Sequence, residues 1–199
     1  MKPGGRTPAI FIDKDGTLVR DVPYNADPRC TEFYPEAEDA LRLLTEAGYR
    51  LIVISNQPGI ALGIISEAQL QEIIAQMQEF FASAGSELEA FYYCPHHPDG
   101  RIERYRMNCE CRKPAPGLIL RAAAELGVDL ANSWMVGDIL NDVEAGNRAG
   151  CRTVFVDRGN ETEWLYGEYR QPTYMVTDLV EAASHIRDCV ASRRFTEQR

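Results

Sequence analysis

Residues 9–12, Ala-Ile-Phe-Ile, form a short unbroken apolar run that stops abruptly at Asp13-Lys14-Asp15-Gly16-Thr17. Such a run, rich in β-branched and aromatic residues and bounded by a turn, predicts a strand buried on both faces. A strand of that kind belongs inside a parallel sheet with helices on either side. In open sheets of this class ligands bind beyond the carboxyl ends of the strands. The two aspartates therefore stand where a site would form. Two carboxylates one residue apart repel unless positive charge lies between them, and magnesium, which takes hard oxygen ligands, is a natural candidate. Asp and Gly are also ordinary turn residues, so this stretch alone leaves a plain acidic turn open.

The same grammar repeats along the chain. Arg50 to Ile54 is a second apolar run, ending at Ser55-Asn56-Gln57-Pro58. Leu88 to Tyr93, Trp134 to Val136, Arg152 to Val156 and Tyr174 to Val176 read as further strands, the third ending at Cys94 and the fourth at Gly137-Asp138. Between them lie helical patterns. Ala37, Ala40, Leu41 and Leu44 share a face within Glu36 to Ala47, with Gly48 as the stop. Ser66 reads as the N-cap of a long helix carrying Leu70, Ile73, Ile74, Met77, Phe80 and Phe81 as a core stripe. Pro116 to Leu126, Asn141 to Ala149 and Leu179 to Ala191 complete the set, with a frayed tail expected after Ser192. Arg20 to Pro35 reads as a long polar loop beside the aspartates, and Glu161 to Gln171 carries no pattern. Alternating strands and helices predict an α/β fold with a doubly wound, Rossmann-like parallel sheet. Residues 1–199 are expected to form a single domain, since no stretch is long enough for a large cap.

Composition narrows the function. The formal net charge of −9 argues against nonspecific nucleic-acid binding, which rests on Lys and Arg neutralising phosphates. It leaves room for a small anionic substrate, because a few local cations and a metal can outweigh a distant surface. No apolar run approaches the roughly 20 residues of a membrane helix, and the N-terminal residues lack a signal-peptide pattern. The expectation is a cytoplasmic protein, monomeric, with neither membrane nor nucleic acid as partner. Six cysteines in such a chain suggest metal binding where they cluster, not disulfides.

Three predicted strands deliver polar groups at their carboxyl ends: Asp13 and Asp15, then Ser55 and Asn56, then Asp138. Lys113 stands in Arg112-Lys113-Pro114, just before a helix. Two acids, a hydroxyl, a cation and a distant acid suit phosphoryl transfer, where the protein mainly positions groups and stabilises charge. Together, Asp-x-Asp-Gly-Thr, the serine after the second strand, the lysine before a helix and Gly-Asp-x-x-x-Asp resemble the haloacid dehalogenase superfamily of phosphatases over about Ala9 to Val156. The resemblance implies Asp13 as nucleophile through an aspartyl-phosphate and Asp15 as general acid and base. It implies Lys113 and Ser55 as partners of the transferring oxygens. It implies catalytic magnesium on the Asp13 carboxylate, the Asp15 backbone carbonyl and Asp138. Asp142 would stand behind these ligands, or simply be an acid in the first turn of a helix.

Cys94-Pro95-His96 and Cys109-Glu110-Cys111 form two tight pairs. Three cysteines and one histidine make a closed tetrahedral zinc set, hence a structural site in a loop over about 94–111. His97 could stand in for His96 by spacing, while the family pattern favours His96. Zinc would fix the backbone that presents Arg112 and Lys113. The C-P-H-H-P and C-x-C-R-K-P runs, with twelve residues between His96 and Cys109, are similar to those of the D-glycero-D-manno-heptose-1,7-bisphosphate 7-phosphatase family. That resemblance implies substrate contacts from Asp21, Val22, Pro23 and Tyr24, from Ser55, Asn56, Gln57 and Pro58, and from Arg112 with Lys113. Arg104 and Arg106 on the loop are further candidates for an anionic substrate, and the loop itself is expected to wall part of an open crevice. The chain departs from the family pattern at Pro58, Leu62 and Ile139, where Ser, Arg and Lys are usual. The expected activity is thus magnesium-dependent removal of the 7-phosphate from the heptose bisphosphate. Alternatives are a phosphatase acting on histidinol phosphate or another small phosphomonoester, and a non-enzymatic metal-binding module.

Overall fold

A computed structural model describes residues 6–25 and 27–196 of the chain, with side chains described to Cys189 in the last helix. Six parallel strands are β1 (Ala9–Ile12), β2 (Arg50–Asn56), β3 (Leu88–Cys94), β4 (Trp134–Gly137), β5 (Arg152–Val156) and β6 (Tyr174–Val176). Their order in the sheet is β3-β2-β1-β4-β5-β6. Five helices are α1 (Ala37–Glu46), α2 (Glu67–Ser83), α3 (Gly117–Leu126), α4 (Leu140–Ala149) and α5 (Leu179–Thr196). This is the doubly wound α/β architecture that the alternation predicts.

The central strands are continuous apolar runs because both their faces are covered. Ile10, Ile12, Leu51, Val53, Trp134 and Val136 point into one core with α1, α2 and α5. Ala9, Phe11, Ile52, Ile54 and Met135 point the opposite way, against α3 and α4. Each strand thus splits its side chains between two cores with the period of two that a pleated strand imposes. Burying each such Ile, Leu or Phe stabilises the fold by about 1.5–3 kcal/mol, and this fixes the sheet's register.

Where the sheet outruns hydrophobicity, the boundaries differ from those expected. β2 continues through Ser55 and Asn56, because its ladder with β3 runs on to the pair Asn56↔Cys94. Backbone pairing does not need apolar side chains. α5 continues to Thr196 instead of ending near Ala191, so the tail expected to fray after Ser192 is helical that far. No Gly or Pro interrupts Leu179 to Thr196. Residues 197–199 lie outside the described residues.

The strand order reverses between β1 and β4, which lie side by side with Ile12 opposite Val136. Asp13 extends that ladder by donating its N–H to the Val136 carbonyl at 2.9 Å. The turns leaving β1 and β4 are thereby pinned together at the switch point, where a doubly wound sheet opens a crevice.

Candidate active site

Gly16 is the residue that lets those two turns meet. It has φ +82°, a conformation that costs glycine little. A Cβ placed there would lie 2.0 Å from Asp138 Oδ2. Gly137 is similarly required, since a Cβ on it would lie 2.3 Å from the Cβ of Asp142. With both glycines in place, one carboxylate oxygen each from Asp13, Asp138 and Asp142 lies within 4.8 Å of the other two. All three acids are buried.

Lys113 enters this cluster from the turn before α3. Its Nζ bonds Asp13 Oδ1, lies 2.6 Å from Asp142 Oδ1 and donates to the Ile54 carbonyl at 3.1 Å. Burial opposes the lysine's charge, but the attraction of Asp13 and Asp142 prevails and holds its pKa above the ordinary value. Asp142 also accepts from the Ile139 N–H at 3.3 Å through its other oxygen. Asp142 is thus a first-turn acid of α4 that also pairs with Lys113.

The remaining acids are not balanced by the lysine alone. Burial pushes Asp13 well above the carboxylate range against the pull of Lys113. Burial and the neighbouring Asp142 push Asp138 up to about 6, although Asn160 and Thr17 work against the shift. Thr17 Oγ1 donates to one oxygen of Asp138 at 2.9 Å and Asn160 Nδ2 to the other at 2.8 Å. A hard divalent cation among these oxygens removes the cost of keeping them ionised, so the donor set fits magnesium.

Asp15 faces elsewhere. Its Oδ1 lies 2.5 Å from Lys14 Nζ and its Oδ2 accepts from Gln57 Nε2 at 3.0 Å. Gln57 also donates to Ser55 Oγ at 2.8 Å. Asn56 reaches Lys113 instead of open space: its Oδ1 accepts from the Lys113 N–H at 3.0 Å and its Nδ2 donates to the Lys113 carbonyl at 3.1 Å.

A cavity of about 330 Å³ opens over these groups. Asp21, Val22, Pro23, Tyr24, Asn56, Gln57, Pro58 and Arg112 line it together with Asp13, Lys14, Asp15, Lys113 and Asp138. Tyr24 takes a left-handed φ of +55° there. Arg112 Nη1 is buried without a protein partner. Ser55 is fully buried and sits behind Gln57, outside the lining. Ile139 brings an apolar side chain to the wall. Arg104 and Arg106 are not among the lining residues, contrary to expectation. Arg104 lies over the Tyr105 ring at 4.5 Å and 3.7 Å from Glu67.

Lys14, Thr17 and Asn160 are site residues to which the sequence reading gave no role. Thr17 was visible inside Asp-x-Asp-Gly-Thr. Asn160 had no signal, because it stands in a segment without periodicity that tertiary folding lays beside Asp138.

A second cluster lies at the carboxyl end of β3. Cys94, Cys109 and Cys111 hold their sulfurs 3.2–3.5 Å apart, and His96 Nδ1 is 3.2 Å from Cys111 Sγ and 3.6 Å from Cys94 Sγ. A tetrahedral zinc with bonds near 2.3 Å to sulfur needs sulfur pairs slightly below about 4 Å apart, so the set fits that ion. His97 is turned away, its Nδ1 accepting from the Asp99 N–H at 3.1 Å. The cluster is coupled to the cavity through the ladder, since Asn56 pairs with Cys94 and the Gln57 N–H donates to the Cys94 carbonyl at 2.8 Å.

This geometry has relatives. The family model described as HAD-hydrolase-like matches residues 110–182. The D-glycero-beta-D-manno-heptose-1,7-bisphosphate 7-phosphatase of Salmonella typhi is 44% identical over 79% of this chain and 89% of its own length. The chain belongs to the heptose-bisphosphatase family of haloacid dehalogenase-like hydrolases. The Escherichia coli K12 member is 43% identical over 73% of this chain and 76% of its own. Among solved structures, D,D-heptose 1,7-bisphosphate phosphatase from B. bronchiseptica, complexed with magnesium and phosphate, matches with a TM-score of 0.79 at 30% identity. That match covers 92% of this chain and 99% of the other. As a member of this family the chain is a phosphomonoester hydrolase.

Proposed function

We propose that the chain removes the 7-phosphate of D-glycero-β-D-manno-heptose 1,7-bisphosphate through an aspartyl-phosphate on Asp13. The observation that carries this reading is the convergence of Asp13, Lys113 and Asp138 at the switch point of the sheet, joined to 44% identity with the Salmonella enzyme. Asp13 attacks phosphorus with a carboxylate oxygen, and the bond from phosphorus to the substrate's C7 oxygen breaks. Asp15 gives that oxygen its proton and afterwards takes one from the water that attacks the acyl phosphate. Phosphate leaves and the Asp13 carboxylate is restored. Lys113 faces the charge that develops on the equatorial oxygens, and the Ser55 hydroxyl, buried behind Gln57, would have to turn toward the cavity to join it.

Magnesium held by Asp13, the Asp15 carbonyl and Asp138 would add positive charge at those same oxygens. Zinc on Cys94, His96, Cys109 and Cys111 would be structural. Arg112, whose buried nitrogen has no protein partner, suits a phosphate group. Asp21, Val22, Pro23 and Tyr24, with Pro58 across the cavity, would contact the sugar. The reading takes residues 1–199 as one phosphatase domain, monomeric and cytoplasmic. No described helix is long and apolar enough to cross a membrane.

A substrate panel tests the assignment. The heptose bisphosphate is expected to give the highest kcat/KM, ahead of heptose 7-phosphate and histidinol phosphate. Equal rates with and without the second phosphate would overturn the substrate while leaving the phosphatase.

A further inference from the structure

The cavity holds two lysines, and each serves a different aspartate. Lys113 pairs with Asp13, whereas Lys14, next to both acids in sequence, pairs with Asp15 at 2.5 Å. Lys14 is only 3% exposed, so this is a fixed contact and not a loose surface pair. The other oxygen of Asp15 meets Gln57, also buried. Gln57 is itself fixed, because its N–H donates to the Cys94 carbonyl at the end of β3.

The hydrogen-bonding inventory of Gln57 decides its role. In the resting site Asp15 is the ionised, accepting form, so the Gln57 atom facing it is the amide nitrogen; Asp15 takes up the proton it later gives to the leaving group on the oxygen turned toward the substrate. That nitrogen has two hydrogens, and both are in use: one on Asp15 Oδ2 at 3.0 Å, the other on Ser55 Oγ at 2.8 Å. No side-chain donor remains for a substrate. Ser55, having accepted from Gln57, keeps its own hydrogen free to donate. One amide therefore sets the position of the acid and the direction of the hydroxyl.

We propose that Lys14 and Gln57 are positioning residues that clamp the Asp15 carboxylate between them, and that Gln57 couples this acid to Ser55. The proposal rests on Asp15 acting as proton donor to the leaving group. Its test separates the two claims through the leaving group. An alkyl phosphate must protonate its departing oxygen. 2,4-Dinitrophenyl phosphate releases a stable phenolate that needs no proton. The ratio kcat/KM reports the steps through departure of that group, so it excludes later hydrolysis of the acyl phosphate.

The experiment compares Gln57→Leu, Lys14→Met and Lys14→Arg with the wild-type chain, all in magnesium, on a sugar phosphate and on 2,4-dinitrophenyl phosphate. Thermal melts accompany each variant to confirm cooperative folding. For Gln57→Leu and Lys14→Met, kcat/KM on the sugar phosphate should fall on the order of 100-fold, within the range of general acid catalysis. The loss on the dinitrophenyl ester should be at least about tenfold smaller. Lys14→Arg, which keeps the charge, should recover most of the loss. A difference between the two substrates of less than about tenfold overturns the clamp, since a merely structural defect lowers both alike. A wild-type chain that hydrolyses neither ester overturns the phosphatase reading itself, and the clamp with it.

Discussion

Asp13 and Asp15 stand two positions apart in the chain and differ in everything around them. Asp13 is buried against Lys113, Asp138 and Asp142, while Asp15 lies between Lys14 and Gln57. The environments suit a nucleophile held beside a cation site and an acid held beside the leaving group. Asp13→Asn keeps the shape and removes the nucleophile, so turnover should fall to background while a thermal melt stays cooperative. Near-normal rates in that variant would end the covalent reading. Gly16→Ala tests the approach of the two turns. Its methyl would strike the Asp138 carboxylate in a backbone conformation that alanine avoids. Magnesium affinity by calorimetry should drop at least about tenfold, in keeping with the effect of misplaced residues supporting a metal site.

At the scale of elements, β2 and β3 join the two clusters whose residues could hold a metal. Asn56 faces Cys94 across the ladder and holds the backbone of Lys113 through both ends of its amide. Gly117 N–H, at the start of α3, returns to the Glu110 carbonyl between two of the cysteines. Loss of the ion from the cysteine cluster should therefore loosen the segment that presents Lys113. Elemental analysis should find about one zinc per chain, as the closed four-ligand set implies. Stripping it with a chelator should lower kcat and raise protease sensitivity near residues 94–111. Unchanged kinetics in verified zinc-free protein would remove the proposed link between the loop and the lysine. The loop does not wall the cavity as expected: none of residues 95–111 is among the cavity's lining residues. Its influence runs through the backbone of its two ends.

Across the whole molecule, two cores on opposite faces of one sheet set the stability. Cys151, in the core beneath α4, has its thiol pushed up to about 12 by burial. The unfolded chain ionises this group near the ordinary thiol value of about 8.5. As pH rises, the unfolded state loses its proton first. The contribution is therefore complete below about 8.5 and lost by about pH 12. It amounts to a few kcal/mol at most, since raising a thiol's pKa tenfold in acidity constant corresponds to about 1.4 kcal/mol. Denaturant melts of wild type should weaken over that interval, and a Cys151→Ala chain should lose stability less steeply there. Parallel slopes would show that the buried thiol is not the group responsible.

The amino-acid order alone determined the sheet, because each buried strand is a separate apolar run and α1 to α4 each carry a stripe and a glycine stop, whereas α5 has no such stop. It also determined which turns carry acids, since Asp13, Asp15 and Asp138 each follow closely on such a run. Tertiary structure alone decided the partnerships: Asn160 with Asp138, Lys14 with Asp15, Asn56 with Lys113. These contacts join residues whose spacing in the chain carries no periodic signal, or neighbours whose side chains had several acids to choose from. Local patterning reports which face a residue buries. Only the folded arrangement settles which charge or hydrogen-bonding group it meets there.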